Sequence, residues 1–338
     1  MKKYDVVIVG AGPGGLNCAY ELSKSNKKVL LLEKNKVIGP KVCAGGFTRK
    51  TYHYLGKPKE LIEGKFKEVT LRIPSKTKVE KASKPVVYTI SRKELGQWML
   101  KRLNKTDVKV GANVTEIKKK YIVVNGEKIG FDYLVGADGS NSKVRDYLGL
   151  SKDYFGVAIQ YIIPTKKYKK LEVIFDSKRF GAWYAWIFPH KNYVSIGSGY
   201  FPGKVNGKEF KAIFDDWLKE KRINVSKAKF EAHSINCDYK GFEFGNVFLV
   251  GDAAGLASGL TGEGIHQALI SGEIVAKRII HPKSSLAKLE QVLKVKKNHD
   301  KILKFMMKLG WLRPLFFRLM LVLSNSRAFE KKMADEVL

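Results

Sequence analysis

The sequence is poor in cysteine, in acidic residues and in long uncharged apolar runs. Its three cysteines, Cys18, Cys43 and Cys237, form no C-x-x-C pair, which excludes a disulfide framework. The six histidines are scattered without metal-ligand spacing, so no metal centre is expected. No charged, apolar and cleavable leader precedes the first strand-like run, and a cytoplasmic protein is expected. The longest apolar stretch, residues 302–323, is interrupted by Lys304, Lys308, Arg313, Pro314 and Arg318. Those interruptions argue against a membrane-spanning helix.

The acid deficit is large: 63 Lys and Arg stand against 32 Asp and Glu, a formal charge of +31. Such a field attracts polyanions, although scattered lysines on a solvated surface account for the same balance. No nucleic-acid-binding motif of the usual kinds is present, so no nucleic acid partner is expected and peripheral contact with an anionic membrane is the better candidate. Residues 302–323 fit either a basic interfacial helix or helices packed over a pocket of the same protein. With 338 residues and 44% hydrophobic content, the chain should fold as interleaved domains or as a domain with an extension.

What is present begins at residue 4. Tyr4-Asp5-Val6-Val7-Ile8-Val9 reads as a buried parallel strand running into Gly10-Ala11-Gly12-Pro13-Gly14-Gly15, with G-x-G-x-x-G spacing at 10, 12 and 15. Gly10 permits the tight turn, Gly12 permits close approach of a pyrophosphate, and Gly15 permits close packing of the helix that starts near Gly14. A second apolar strand, residues 28–32, ends in Glu33, about twenty positions on, where a carboxylate can hold a ribose. Strand, turn, helix, strand and acid in this order predict a dinucleotide site.

The loop Lys34 to Gly46 leaves that second strand and carries Lys41-Val42-Cys43-Ala44-Gly45-Gly46, which places Cys43 either beside the cofactor or as an inert small apolar residue. Strands are expected over 66–74, 85–90, 113–117 and 121–124, with an Asn125-Gly126 hairpin turn. Ser91 and Glu94 frame a helix start, with Arg92 in its first turn as a phosphate clamp or a solvated charge. Residues 131–145 again run from strand through Gly136-Ala137-Asp138-Gly139 into a helix capped by Ser140 or Asn141.

From Phe155 to about Tyr200 strands follow one another without intervening helices, which predicts an antiparallel sheet. Within it, Tyr184, Trp186 and Phe188 alternate onto one face, as core or as a pocket wall. Residues 207–221 read as helix. Val247 to Gly251 then repeats the strand-into-glycine pattern, Asp252 follows, and Thr261-Gly262-Glu263-Gly264-Ile265 opens a helix that can face a pyrophosphate or an electron-rich ring.

These motifs, in this order, resemble flavoproteins of the para-hydroxybenzoate hydroxylase fold and, within them, the geranylgeranyl reductase family. The resemblance covers roughly residues 1 to 280 and implies FAD as cofactor. Gly10, Gly12, Gly14, Gly15 and Glu33 would hold its ADP half, Arg92 its phosphates, and Val114, Asp138 and Gly139 would contribute further contacts. Gly251, Asp252, Gly262, Glu263, Gly264 and Ile265 would face the ribityl, pyrophosphate and ring. Lys41 to Gly46 resembles the reductases' cysteine-glycine motif, which implies that Cys43, Ala44 and Gly45 lie beside the flavin and makes Cys43 the candidate catalytic residue. Tyr184, Trp186, Phe188 and Pro189 match the Y-x-W-x-F-P motif that lines a lipid pocket. Ala44, where many members have glycine, and the shorter C-terminal part depart from the family. Gly255 stands where the hydroxylases usually have histidine.

The fold implied is α/β: a Rossmann-like FAD-binding domain (1–70, 91–150 and 240–282), an inserted antiparallel-sheet substrate domain (71–90 and 151–239) and a C-terminal helical segment (283–338). The activity implied is reduction of isoprenoid C=C bonds in a prenyl lipid or its precursor, with ferredoxin or NAD(P)H as electron donor. The alternatives are an FAD-dependent monooxygenase of an apolar substrate and a noncatalytic flavin-containing lipid binder.

Overall fold

The computed structural model describes residues 1–203 and 205–324. Two compact units interleave along the chain: Met1–Lys41, Arg92–Phe155 and Ile235–Asp300 form one, and Val42–Ser91, Gly156–Ser234 and residues 301–324 form the other.

The first unit is built on a parallel sheet. Strand Lys2–Val9 lies between Val29–Glu33 and Glu127–Gly136, with Thr106–Val110 beyond the former and Val247–Leu249 beyond the latter, all parallel. Lys2–Val9, Val29–Glu33 and Val247–Leu249 are largely buried, which is why they read as apolar runs, whereas Thr106–Val110 at the edge is more exposed and mixed in character. The helix Pro13–Leu22 crosses the helix Ile265–Ile280 closely, and Asn17 Nδ2 donates to the Leu269 carbonyl at 2.7 Å inside that contact. The hairpin at Asn125-Gly126 has positive φ at both residues (49° and 86°), the turn whose twist matches its strands.

The second unit holds a seven-stranded sheet in the order Lys229–Asn236, Phe155–Ile163, Val194–Tyr200, Ala185–Pro189, Glu172–Ile174, Glu68–Ile73, Lys76–Lys81. Neighbours with resolved register are antiparallel, except Glu172–Ile174 with Glu68–Ile73, which is parallel. Helix Gly207–Glu220, started by a capping box between Asn206 and Glu209, lays Phe210, Phe214, Trp217 and Leu218 over Ile159, Tyr161, Ala185, Ile187, Val194 and Ile196.

Three local expectations need correction. Ser142, and not Ser140 or Asn141, caps the helix Lys143–Tyr147 by accepting from Arg145 N. A four-residue helix, Ser177–Phe180, interrupts the run of strands expected from Phe155 to about Tyr200, because the Asp176 side chain accepts from Lys178 N. Residues 42–70, read from the sequence with the FAD-binding domain, lie in the second unit, where Gly46–Thr48 and Ile62–Phe66 both pair with Val87–Ile90. The C-terminal segment forms two helices, Ala287–Lys308 and Arg313–Leu323, around the turn Gly310–Leu312; its residues 325–338 lie outside the described residues.

Candidate flavin and substrate sites

In the first unit, the motif residues gather at the carboxyl edge of the parallel sheet. Gly10 N donates to Leu32 O (2.7 Å), Ala137 N to Val9 O (2.8 Å) and Val250 N to Gly136 O (2.9 Å), so the strand ends are stitched level. This edge, where connections leave in opposite directions from the central strand, is where α/β sheets bind nucleotides. Gly10 has φ +102°, and a side chain at Gly15 would collide with the Gly10 carbonyl. At Gly12 the space that a side chain would take is open, in front of the first amides of helix Pro13–Leu22.

Glu33 stands at the end of its strand, where its carboxylate accepts from Ala11 N at 3.0 Å through Oε2 and from Asn35 N and Nδ2 at 3.0 and 2.8 Å through Oε1. A carboxylate has about four acceptor positions, so this one is oriented by the protein and can still accept from a ribose.

Asp138 receives Lys143 N and Val144 N on Oδ2 (2.7 and 3.3 Å), while its Oδ1 is buried without a partner. Burial pushes the Asp138 carboxyl up to about 6. Arg92 opens the helix Arg92–Lys101, and its Nε is likewise buried without a partner. A buried orphan donor, a buried orphan acceptor and an open helix N-terminus in one unit fit a phosphate- and hydroxyl-bearing ligand. The residues therefore suit FAD.

In the same unit the remaining expected residues are held by groups to which the sequence assigned no role, Lys41, Arg145 and Lys296 among them. Lys41 Nζ donates to Asp252 Oδ2 at 2.8 Å. Asp252, expected to meet a ligand hydroxyl, is thus already neutralised on one oxygen. Arg145, fully buried, donates to the carbonyls of Ala253, Asp238 and Ser151 at 3.3, 2.8 and 2.7 Å, tying the helix after Gly139 to the segment after Gly251. Gly264 is the N-cap of helix Ile265–Ile280, and the preceding turn at Gly262 has φ +67°. Lys296 Nζ reaches Ala257 O at 3.2 Å, and Ser258 Oγ lies 2.9 Å from His299 Nδ1, so the later helix braces the 255–264 loop. Val114 is buried, and its carbonyl accepts from Lys143 Nζ at 2.6 Å.

In the second unit, the aromatic motif and the cysteine loop form one bonded structure. Ala185 and Ile187 point into the core under helix Gly207–Glu220, so the alternation of the strand sends Trp186 and Phe188 to the opposite face. Tyr184, just before the strand, meets Trp186 edge-on at 6.4 Å between ring centroids. The row is a wall on the face away from that core.

From this wall, Trp186 Nε1 donates to Ser195 Oγ (2.9 Å) and Ser195 Oγ to Gln160 Oε1 (3.0 Å). Gln160 Nε2 then donates to Glu231 Oε2 at 2.8 Å and to the Cys43 carbonyl at 3.3 Å. Phe188 covers Gly46, where an added side chain would come within 2.5 Å of the ring. Pro189 O accepts from Thr89 Oγ1 at 2.8 Å. His190, next in sequence, lies 2.9 Å from the Ala44 carbonyl through Nε2 and 2.6 Å from Glu63 Oε2 through Nδ1. Because a carbonyl only accepts, Nε2 is the donor in the bond to Ala44. Gly45 has φ +76°, donates from N to Cys43 Sγ at 3.4 Å, and accepts from Ile90 N at 2.9 Å. Cys43 itself is half-buried and its thiol is free.

Gln160, Ser195, Glu63 and His190 escaped the sequence reading. A polar Gln160 and Ser195 inside otherwise apolar strands, and a histidine directly after Phe188-Pro189, were the available signals.

The FAD binding domain family matches residues 3–282. A digeranylgeranylglycerophospholipid reductase of Methanococcus vannielii is 31% identical over 309 residues, spanning 82% of this chain and 78% of its own. An uncharacterised protein of Methanosarcina barkeri is 34% identical over 296 residues, spanning 82% of this chain and 75% of its own. Among solved structures, a geranylgeranyl bacteriochlorophyll reductase-like protein from Thermoplasma acidophilum superposes with a TM-score of 0.73 at 22% identity, over 98% of this chain and 90% of that one, a likeness of fold. With an FAD-binding edge built in its first unit and a cysteine loop joined to an aromatic wall in its second, the chain belongs to the FAD-dependent geranylgeranyl reductase family.

Proposed function

We propose that this protein saturates carbon–carbon double bonds of a geranylgeranyl-type isoprenoid chain carried by a lipid or its precursor. The observation that carries this reading is the bonded assembly of Cys43–Gly46 with Tyr184–His190: two motifs that resemble the reductases, far apart in sequence, are joined through Gln160 and His190. Reduced FAD, when bound, supplies the hydride. An unactivated alkene offers no polar handle, so the protein's own work is placement.

In this reading Gly10, Gly12, Gly14, Gly15, Glu33, Arg92, Val114, Asp138 and Gly139, with the residues from Gly251 to Ile265, hold the cofactor. Tyr184, Trp186, Phe188 and Pro189 hold the prenyl chain. Cys43, Ala44 and Gly45 face the reacting atoms, with the Cys43 thiol as the group able to offer a proton. The excess of positive charge suits an anionic electron donor, an acidic ferredoxin or NAD(P)H.

The test is anaerobic. Protein reduced with dithionite is mixed with geranylgeranyl lipid, and flavin reoxidation is followed together with product mass. Reoxidation with a gain of two hydrogens per double bond is expected. Flavin that stays reduced until oxygen is admitted, followed by oxygenated product, would replace this reading with a monooxygenase. Lipid retained unchanged in both redox states would indicate a binder.

A further inference from the structure

Residues 301–323 contain five cations, Lys301, Lys304, Lys308, Arg313 and Arg318, and no acidic residue. They form the end of helix Ala287–Lys308, the turn Gly310–Leu312 and the helix Arg313–Leu323. This hairpin is a built object. Arg313 Nε and Nη2 donate to the carbonyls of Met306 and Met307 (2.9 and 3.3 Å), so a cation closes the end of the first helix. Leu303, Met306, Phe317 and Leu321 are buried, and Phe317 packs on Phe175 at 5.0 Å between centroids. The far end is pinned to the strand Lys76–Lys81: Lys78 Nζ donates to Leu321 O at 2.9 Å and Ser324 Oγ to Glu80 Oε1 at 2.6 Å.

The other face of the hairpin is apolar and turned to solvent. Trp311, at the tip, is 86% exposed, Leu315 63%, Phe305 53%, Leu319 52% and Val322 53%. A group of large apolar side chains this exposed marks an interaction surface. The surrounding charge selects the partner. Lys301, Lys304, Lys308 and Arg318 are exposed around the apolar face, and a lone indole at the tip is the side chain best suited to the boundary between headgroups and acyl chains. No helix among the described residues is long and apolar enough to cross a membrane, so this surface would rest in the interface.

We propose that the hairpin of residues 301–323 docks on an anionic lipid surface, with Trp311, Leu315 and Leu319 entering the headgroup boundary and Lys304, Lys308 and Arg318 pairing with lipid phosphates. The inference deepens the reading of the protein as a prenyl-lipid reductase, because such a substrate sits in a bilayer, yet it stands on the hairpin alone.

The test is flotation of the full-length protein with vesicles of equal phosphatidylcholine and phosphatidylglycerol, against vesicles of phosphatidylcholine alone, without turnover of any substrate. Co-flotation with the anionic vesicles is expected, with a blue shift of tryptophan emission that is lost in Trp311→Phe. The Trp311→Ser/Leu315→Ser/Leu319→Ser variant should lose at least about tenfold in partitioning, and Lys304→Glu/Lys308→Glu/Arg318→Glu should lose a comparable factor on anionic vesicles only. All six side chains are solvent-facing, and unchanged circular dichroism and flavin content would certify the fold. Absence of flotation at low salt, or flotation untouched by both triple variants, overturns the proposal. So does a dimer that the apolar variant dissociates, which would assign the surface to a second copy. Flotation without alkene reduction would leave docking standing and reject the reductase reading; reduction of a soluble substrate without flotation would do the reverse.

Discussion

His190 donates its Nε2 proton to the carbonyl of Ala44 at 2.9 Å, across 146 residues of sequence. Through that bond the residue following the aromatic motif sets the backbone of the residue following Cys43. Stacking on Tyr193 at 4.2 Å and the contact with Glu63 at 2.6 Å fix the ring in place.

Replacing His190 by alanine removes the donor from the Ala44 carbonyl and leaves a largely buried Glu63 with only the longer bond from Tyr193. Loss of a buried partner costs about 1–3 kcal/mol, so urea unfolding should register that decrease. Turnover should fall by at least about tenfold, equivalent to about 1.4 kcal/mol. His190→Gln retains an N–H donor and should recover part of the turnover. Equal turnover in His190→Ala and the parent protein would remove His190 from the positioning of the Cys43 loop.

Gly12 and Gly15 should fail in different ways. A methyl at Gly15 meets the Gly10 carbonyl, whereas one at Gly12 meets nothing within 4 Å. Gly15→Ala is therefore expected to lower the melting temperature of the apoprotein. A larger side chain in Gly12→Val should leave the apo fold intact while abolishing flavin binding, read as the ratio of absorbance at flavin and protein bands. Retention of flavin by Gly12→Val would move the pyrophosphate away from this turn.

Lys41→Met leaves Asp252 without the ammonium 2.8 Å away. Half-buried charge pairs couple by about 1 kcal/mol or more, and flavin affinity should weaken by roughly fivefold to tenfold, with Asp252→Asn restoring part of it in the double variant. Purely additive losses would show that the pair does not shape the site.

Asp138 provides a pH signature. Its carboxyl is raised from 3.8 to about 6 in the fold because burial disfavours the charged form. Between these values the folded state binds more protons than the unfolded state, so this group destabilises the apoprotein as pH rises from 4 to 6, and the penalty stays constant above that. Relative to Asp138→Asn, which does not titrate, the parent protein should gain roughly 1 kcal/mol in urea unfolding on going from pH 7 to pH 5. A difference curve that is flat, or of opposite sign, would mean that Oδ1 has found a partner.

Much of the cofactor-side geometry was legible in the sequence because it is written in backbone chemistry. Gly10 must turn the chain at positive φ, a five-residue strand must run through apolar residues to end in Glu33, and Asn125-Gly126 must close a hairpin; each requirement is met by adjacent residues. The same locality explains where the reading slipped. Three neighbouring residues, Ser140, Asn141 and Ser142, can all cap a helix, and only the path of the chain after Asp138 selects Ser142.

The sequence by itself determined the alternation that separates Trp186 and Phe188 from Ala185 and Ile187, since a strand offers two faces and nothing else. Which face became core was decided by tertiary structure, when helix Gly207–Glu220 covered Ala185 and Ile187. Tertiary structure also decided that the Cys43 carbonyl meets Gln160, 117 residues away, and that Lys41 meets Asp252, 211 residues away. Hydrogen bonds and ion pairs are short-ranged and indifferent to sequence separation, so they are set only when packing of the apolar faces has brought distant polar groups to within about 3 Å.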